Sequence, residues 1–292
     1  MGDPALQEQD FPALYRSADD LSLAAQGHFF RALKLHLVLL VLAAIMSIVN
    51  IPHWLAAVSQ LVALLGALSC SIYLFSRRPD RLWYAGRAVA ESIKTITWRY
   101  VCRAEPFQSD DATAKNEFRQ KLTAVVQQNR EVFQSPTKHL EAPQITDTMT
   151  QMRACQLDKR KATYAVNRIG DQLKWYAKKA AFNRKTSTGF FWALIVVNFV
   201  AVICAALRIK FVDVSFWPTD VFVAIAASLL SWMQAKRFSE LAASYAWAAY
   251  EIGLIQEQSL LPRTDDEFSL FVGDAENAFS REHTQWIARK DV

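Results

Sequence analysis

Residues 35–76 read LHLVLLVLAAIMSIVNIPHWLAAVSQLVALLGALSCSIYLFS, an unbroken run without one Asp, Glu, Lys or Arg. A helix rises about 1.5 Å per residue and the apolar layer of a bilayer is about 30 Å thick, so roughly 20 apolar residues cross it. The run therefore fits two crossings with a turn between them. Asn50-Ile51-Pro52-His53 supplies the turn, because Pro52 lacks an amide donor and pushes Ile51 away from helical geometry. The spacing predicts membrane spans at about 34–49 and 54–75.

Further along the chain the pattern returns. Residues 186–207 carry no charge, and residues 214–235 carry only Asp220. A second pair of spans is predicted at about 190–207 and 216–233, around a turn containing Arg208, Lys210 and Pro218. The whole chain has 292 residues and a mean hydropathy of +0.05. That near-zero average is the sum of very oily and very polar stretches, which excludes a single soluble core.

The Lys and Arg side chains gather at the span edges. Arg31 and Lys34 precede span one, and Arg77, Arg78, Arg81 and Arg87 follow span two. Lys178, Lys179, Arg184 and Lys185 precede span three, and Lys236 and Arg237 follow span four. The positive-inside bias then places both termini and the long middle segment in the cytoplasm. The stretch ahead of Arg31 contains no apolar signal-peptide core, so no cleaved leader is expected. The net charge of +5 is accounted for by these edges, so a nucleic-acid partner is not expected and the lipid bilayer is. Cys70, Cys102, Cys155 and Cys204 have no metal-ligand spacing and read as free thiols.

Two halves divide at the loop 135–143, giving units of 1–143 and 144–292, each a hairpin with polar helices. After span two, Leu82, Gly86, Val89, Ile93, Ile96 and Tyr100 recur at four- and three-residue steps. After span four, Leu241, Tyr245, Ala248, Ile252, Ile255 and Ser259 do the same, one constant offset carrying each member of the first set onto the second. A 3.5-residue period that starts directly after a span predicts an unbroken helix running out of the membrane into a bundle or stalk. Lead-in helices are expected at 18–33 and at 144–185, where Arg168 pairs along one face with Asp171 or Gln172, near Trp175. An amphipathic helix is expected at 110–133. A last helix, opened by the capping-box pair Thr264 and Glu267, carries Phe268, Val272, Ala275, Phe279 and Trp286 on its apolar side. No strand pattern is present. The expected fold is an all-α membrane protein: two tandem hairpins, four spans, continuing into long cytoplasmic helices.

Catalytic signatures are missing from the sequence. The eight glycines are scattered, the five histidines are isolated, and no nucleophile elbow or zinc-protease helix exists, so neither an enzyme nor a cofactor is expected. What remains is polarity inside the spans. Asp220 reads either as a pore-mouth carboxylate in a ring of subunits or as the N-cap of span four. His36, Gln60 and Asn198 read as interhelical hydrogen-bonding groups, with pore lining as the alternative. Small residues at every fourth position (Ala63, Ala67 and Ser71; Ala201 and Ala205; Ala224 and Ser228; Ala227 and Ser231) suit close helix packing in lipid.

Several stretches carry a family resemblance. Phe11-Pro12-Ala13-Leu14-Tyr15 with Ala18-Asp19, then Thr97-Trp98-Arg99-Tyr100 and Arg103-Ala104-Glu105-Pro106-Phe107, look like one unit. Tyr164, Arg168-Ile169, Asp171-Gln172, Trp175-Tyr176, Lys179-Ala180 and Asn183, with the tail Ser280-Arg281-Glu282-His283-Thr284 and Trp286, look like a second, different unit. Together they resemble the SLATT (SMODS- and SLOG-associating two-transmembrane effector) superfamily in tandem. The resemblance implies a bacterial inner-membrane effector of anti-phage or conflict systems, homo-oligomeric, that perforates the membrane on a nucleotide-derived signal or through a sensor protein. Independently of the resemblance, Arg168, Asp171, Gln172, Trp175, Arg281 and His283 are the candidate stalk or regulatory residues, with a solvated helix packed on its neighbour as the plainer reading of the Arg168 face. A non-conducting membrane-anchored scaffold and a secondary transporter are the alternatives, the latter lacking paired ionisable groups at midplane.

Overall fold

The computed structural model describes residues 6–48, 54–134, 137–214 and 216–288, with side chains through Ser280. The expected turn at Asn50–His53, part of the loop at 135–143, and the side chains of Arg281, His283 and Trp286 lie outside what is described. The regular structure among the described residues is helical throughout. In chain order the helices are α1 (Ala13–Ile48), α2 (Trp54–Arg77), α3 (Pro79–Val101), α4 (Asp111–Gln128), α5 (Arg130–Phe133), α6 (Asp147–Arg153) and α7 (Leu157–Tyr164). After a π turn (Ala165–Gly170) come α8 (Asp171–Lys210), α9 (Thr219–Lys236), α10 (Phe238–Gln258) and α11 (Asp265–Ala288).

Two compact units form, and neither is one half of the sequence. One comprises Met1–Gln26, Asp80–Ala177 and Ala246–Val292; the other comprises Gly27–Pro79 and Lys178–Tyr245. Both repeats contribute to each. α1 and α8 are single helices of 36 and 40 residues, about 54 and 60 Å long, that supply residues to both units.

The apolar unit holds the hairpins. Its helices pack where side chains are small: Ala43, Ala63, Ala67, Ala201 and Ala226 are buried. Leu61, Val62, Leu65, Leu68 and Ile72 of α2 and Phe191, Val196, Phe199 and Val202 of α8 point outward, the distribution that lipid contact requires. In the last hairpin the close approach is at Ala226, not at the rows expected from 224 and 227, and Ala205 is exposed. Phe30 meets Trp232 at 5.8 Å between ring centroids, tying α1 to α9. Among the described residues, three helical segments are long and apolar enough to cross a membrane: Ala13–Ile48, Trp54–Arg77 and Leu157–Lys210. α9, the fourth expected span, has 18 residues, about 27 Å, with Asp220 and Lys236 near its ends.

The polar unit is a helical bundle with an aromatic spine. Phe11 and Trp98, Trp98 and Tyr164, and Tyr164 and Phe268 lie 6.3, 5.7 and 6.1 Å apart between centroids. Tyr100 and Phe118 lie 4.6 Å apart, joining α3 to α4. Such pairs each contribute about 0.5–1.5 kcal/mol beyond burial. The amphipathic helix at 110–133 forms as α4 and α5, N-capped by Asp110 through the amides of Ala112 and Thr113. α11 opens as its capping pair predicts, the amide of Glu267 donating to Thr264 Oγ1, and it buries Phe268, Val272, Ala275 and Phe279.

The expected unbroken helix after each hairpin does not form. α2 ends at Arg77 and α3 begins at Pro79, with Arg78 between them at φ 43°. α9 ends at Lys236 and α10 begins at Phe238, with Arg237 at φ 51°. Both arginines are left-handed, and the offset that carries Leu82 onto Leu241 carries Arg78 onto Arg237. Pro79 accounts for the first break, because it disfavours helical geometry at the residue before it and cannot donate backward. At the second, the Arg237 amide donates to the Met233 carbonyl at 2.8 Å and closes α9. Nor is 144–185 one lead-in helix: it divides into α6, α7, the π turn and the start of α8.

Candidate functional site

The least expected chemistry is a charged centre inside the polar bundle. Arg168 lies in the π turn directly before α8 and is 1% exposed; Glu276 of α11 is 0% exposed. The guanidinium donates from Nε at 2.8 Å and from Nη2 at 2.7 Å to the two carboxylate oxygens. Tyr164 Oη and Thr95 Oγ1 donate to the same carboxylate at 3.0 and 2.9 Å, so α3, α7, the π turn and α11 meet there. The guanidinium stacks 4.7 Å from the Phe279 centroid, while Nη1 is buried without an acceptor. Burial opposes the charge on Arg168, but Glu276 outweighs it and holds the group above its ordinary value. Burial and the Glu276 charge push the Tyr164 hydroxyl upward, fixing it as a donor. π turns of this kind are frequent at functional positions.

A second charged group flanks the first. Arg87 reaches Glu91 at 2.7 Å and Asp19 at 3.4 Å. Burial pulls Arg87 down, yet Glu91 and Asp19 keep it above its ordinary value. Burial raises the Asp19 carboxyl, against the pull of Arg87. Burial lowers the Lys94 ammonium, with Glu91 opposing and Arg168 and Arg87 reinforcing the shift. α1 and α3 come unusually close beside this group: a Cβ on Gly86 would stand 3.0 Å from the Ala18 carbonyl oxygen.

Two further buried arginines hold the end of α3. Arg153 donates to the carbonyls of Tyr100, Phe107 and Ser109 at 2.8, 2.9 and 3.0 Å, and to Asp111 at 2.9 Å. Arg160 donates to the Cys102 and Cys155 carbonyls at 2.8 and 3.0 Å and pairs with Asp265. The last carbonyls of a helix have no partner within it, and cations there are favourable. Arg99 extends the set across to α11, reaching the Gly273 carbonyl at 3.0 Å and Asn277 at 2.8 Å.

The structure separates the residues expected to act together. Arg168 pairs with Glu276, not with Asp171 or Gln172, because the π turn aims it inward; Asp171 is exposed and Gln172 half-buried. Trp175 packs on Tyr176 at 4.9 Å. In the apolar unit, His36 Nδ1 lies 3.0 Å from the Ala67 carbonyl and 3.3 Å from Ser71 Oγ, an α1–α2 link as expected. Asn198 does not bridge helices: its amide donates to Leu194 of its own helix at 2.8 Å. Gln60 is half-buried on α2. Asp220 is not the N-cap, which is Pro218; it is exposed in the first turn of α9.

Sequence reasoning missed Glu276, Arg153 and Arg160. Charged residues in a polar stretch read as solvated, and Arg153, Arg160 and Arg168 fall on three separate helical segments, so no single helix face marks them in the sequence. Among the described residues no group of three or more His, Cys, Asp or Glu side chains is arranged to hold a metal ion. The two charges of the centre depend on each other: with either removed, the other would be buried without its counter-charge.

Residues 12–161 match the family described as SMODS and SLOG-associating 2TM effector domain 3. Residues 164–286 match the family described as SMODS and SLOG-associating 2TM effector domain 1. No curated protein and no solved structure matches the chain.

Proposed function

Because the chain belongs to the SMODS and SLOG-associating 2TM effector (SLATT) families, with domains 3 and 1 in tandem, we propose that it is an oligomeric, non-enzymatic effector of a bacterial conflict or anti-phage system that forms or gates a pore in the inner membrane. Four spans in two hairpins form the membrane part, with both termini and the polar bundle cytoplasmic. The bundle is the control element, acted on by a nucleotide-derived signal or a sensor protein.

One observation carries this reading. The residue Arg168 stands just before α8, which runs without interruption from Asp171 to Lys210 and carries no charged side chain from Thr186 to Leu207. A change at the Arg168–Glu276 pair therefore acts on the foot of a helix whose far end lies among the spans, and a stiff helix passes displacement along its length. α1 offers the same continuity from the other repeat.

Ion flux from liposomes containing the purified full-length chain tests the reading. Flux that rises when Glu276→Gln weakens the Arg168–Glu276 pair is expected. A tight bilayer with wild type and variant alike, under every signal and partner tried, would leave the chain a membrane-anchored scaffold.

A further inference from the structure

The two junctions at which the chain leaves its hairpins match in backbone and differ in charge. Arg78 and Arg237 are both left-handed and are related by the repeat offset, which also carries Arg77 onto Lys236 and Arg81 onto Glu240. At the second junction the chain satisfies its own cations. Arg237 Nε donates to Glu240 at 2.6 Å, and the Lys236 ammonium stands 3.3 Å from the Phe30 ring centroid and 5.2 Å from that of Trp232. Both cations are half-buried.

The first junction has equivalent cations and nothing of its own to hold them. Arg77 and Arg78 are exposed, and among the described residues neither side chain makes a hydrogen bond or an ion pair. The position that supplies the carboxylate in the second repeat is here Arg81, and Asp80, the next acid along the chain, pairs with neither arginine. α1 brings another cation to this end. His36 Nδ1 lies 3.3 Å from Ser71 Oγ, and a Cβ on Gly66 would stand 3.0 Å from Leu39, so α1 and α2 run antiparallel. Lys34, exposed and likewise unpaired, therefore lies toward the Arg77 end of α2. The acids of the apolar unit are Asp213, Asp220 and Glu240. The first two flank the α8–α9 turn, at the far end of the spans, and the third is taken by Arg237. The counter-charge for Arg77 and Arg78 has to come from outside the chain.

We propose that Arg77 and Arg78, with Lys34, bind the phosphate of an anionic phospholipid headgroup, which supplies at the first junction the negative charge that Glu240 supplies at the second. A guanidinium matches phosphate oxygens in two-pronged hydrogen bonds. Free phosphate has the same chemistry, but the depth of the site favours a phosphate attached to acyl chains. Tyr73 and Phe75, 36% and 86% exposed, directly precede the arginines. Aromatic residues and then cations is the order met on passing from acyl chains to headgroups. The proposal goes beyond the pore reading and holds whether or not the chain conducts.

Native mass spectrometry of the full-length chain in mild detergent tests it, after incubation with equal amounts of dioleoylphosphatidylglycerol and dioleoylphosphatidylcholine. Wild type should retain phosphatidylglycerol in preference. Arg77→Gln/Arg78→Gln should bind that lipid at least about fivefold more weakly, with helical content unchanged because both side chains are exposed. Glu240→Gln, which frees Arg237, should retain more of it than wild type, a gain that misfolding does not produce. Arg208→Gln/Lys210→Gln, at the other end of the spans, should match wild type. Equal retention by wild type and Arg77→Gln/Arg78→Gln overturns the site, as does an equal loss in Arg208→Gln/Lys210→Gln. A Glu240→Gln chain that gains nothing overturns the exchange of headgroup for carboxylate. Displacement of the lipid by inorganic phosphate overturns the headgroup as the source of the charge.

Discussion

Arg168 and Glu276 form a two-pronged ion pair, 2.8 and 2.7 Å, with side chains 1% and 0% exposed. Desolvating two charges offsets much of their attraction, so the pair stabilises little compared with a well-packed apolar pair, yet removing one partner strands the other. Glu276→Ala should therefore cost about 3–5 kcal/mol of stability. Arg168→Met/Glu276→Leu should regain a large part of that, short of full recovery because Tyr164 and Thr95 lose their acceptor. Chemical unfolding of the detergent-solubilised chain measures both. A double variant as costly as the two single variants summed would contradict the coupling.

At Gly86 α1 and α3 come close enough that the absence of a side chain is required. A Cβ would stand 3.0 Å from the Ala18 carbonyl oxygen and 3.2 Å from Ser22. The obstructing atoms include backbone, which moves only with its helix. Gly86→Ala should cost about 1–3 kcal/mol despite the better helix propensity of alanine. Gly253→Ala on α10, where nothing lies within 4 Å, is the control and should stabilise or be neutral.

Arg78 at φ 43° is a non-glycine residue in the left-handed region. Relief of that geometry by Arg78→Gly should raise stability by about 1 kcal/mol, while Arg78→Val should lower it. A midpoint that falls with glycine would mean that the Arg78 side chain contributes more than its backbone strain costs.

Lys94 gives the bundle a pH dependence. Burial lowers its ammonium from the ordinary value near 10.5. Folding thus favours the neutral form, so the stability Lys94 contributes is present above pH 10.5 and is lost as the pH falls through the lowered value. Lys94→Met should raise the unfolding midpoint at pH 7 and flatten the gain that wild type shows between neutral and alkaline pH. Equal slopes in the two proteins would show that Lys94 titrates as if unfolded.

Much of this fold was readable from charge alone. The charge-free runs located the ends of α1 and α8 and all of α2, and the small residues at 63 and 67 marked a packed seam. The Thr264–Glu267 pair gave the start of α11. What escaped was non-local or geometric. The partner of Arg168 lies 108 residues away, where no spacing rule reaches. The break at Arg237 interrupts an apolar period that continues across it, and arginine carries no breaker signal. The inward turn of Arg168 follows from the π geometry of 165–170, which no residue pattern announces.

Asp220 is exposed in the first turn of α9 and caps nothing, so Asp220→Asn should leave folding within about 0.5 kcal/mol of wild type. That makes it a clean probe of conduction. Planar-bilayer recording of the full-length protein under a salt gradient, wild type against Asp220→Asn, reads out whether the spans form a conduit. Discrete conductance with a cation-selective reversal potential that moves toward zero in Asp220→Asn is the predicted result. A bilayer that stays electrically silent with folded, oligomeric protein on either side would contradict the proposed pore.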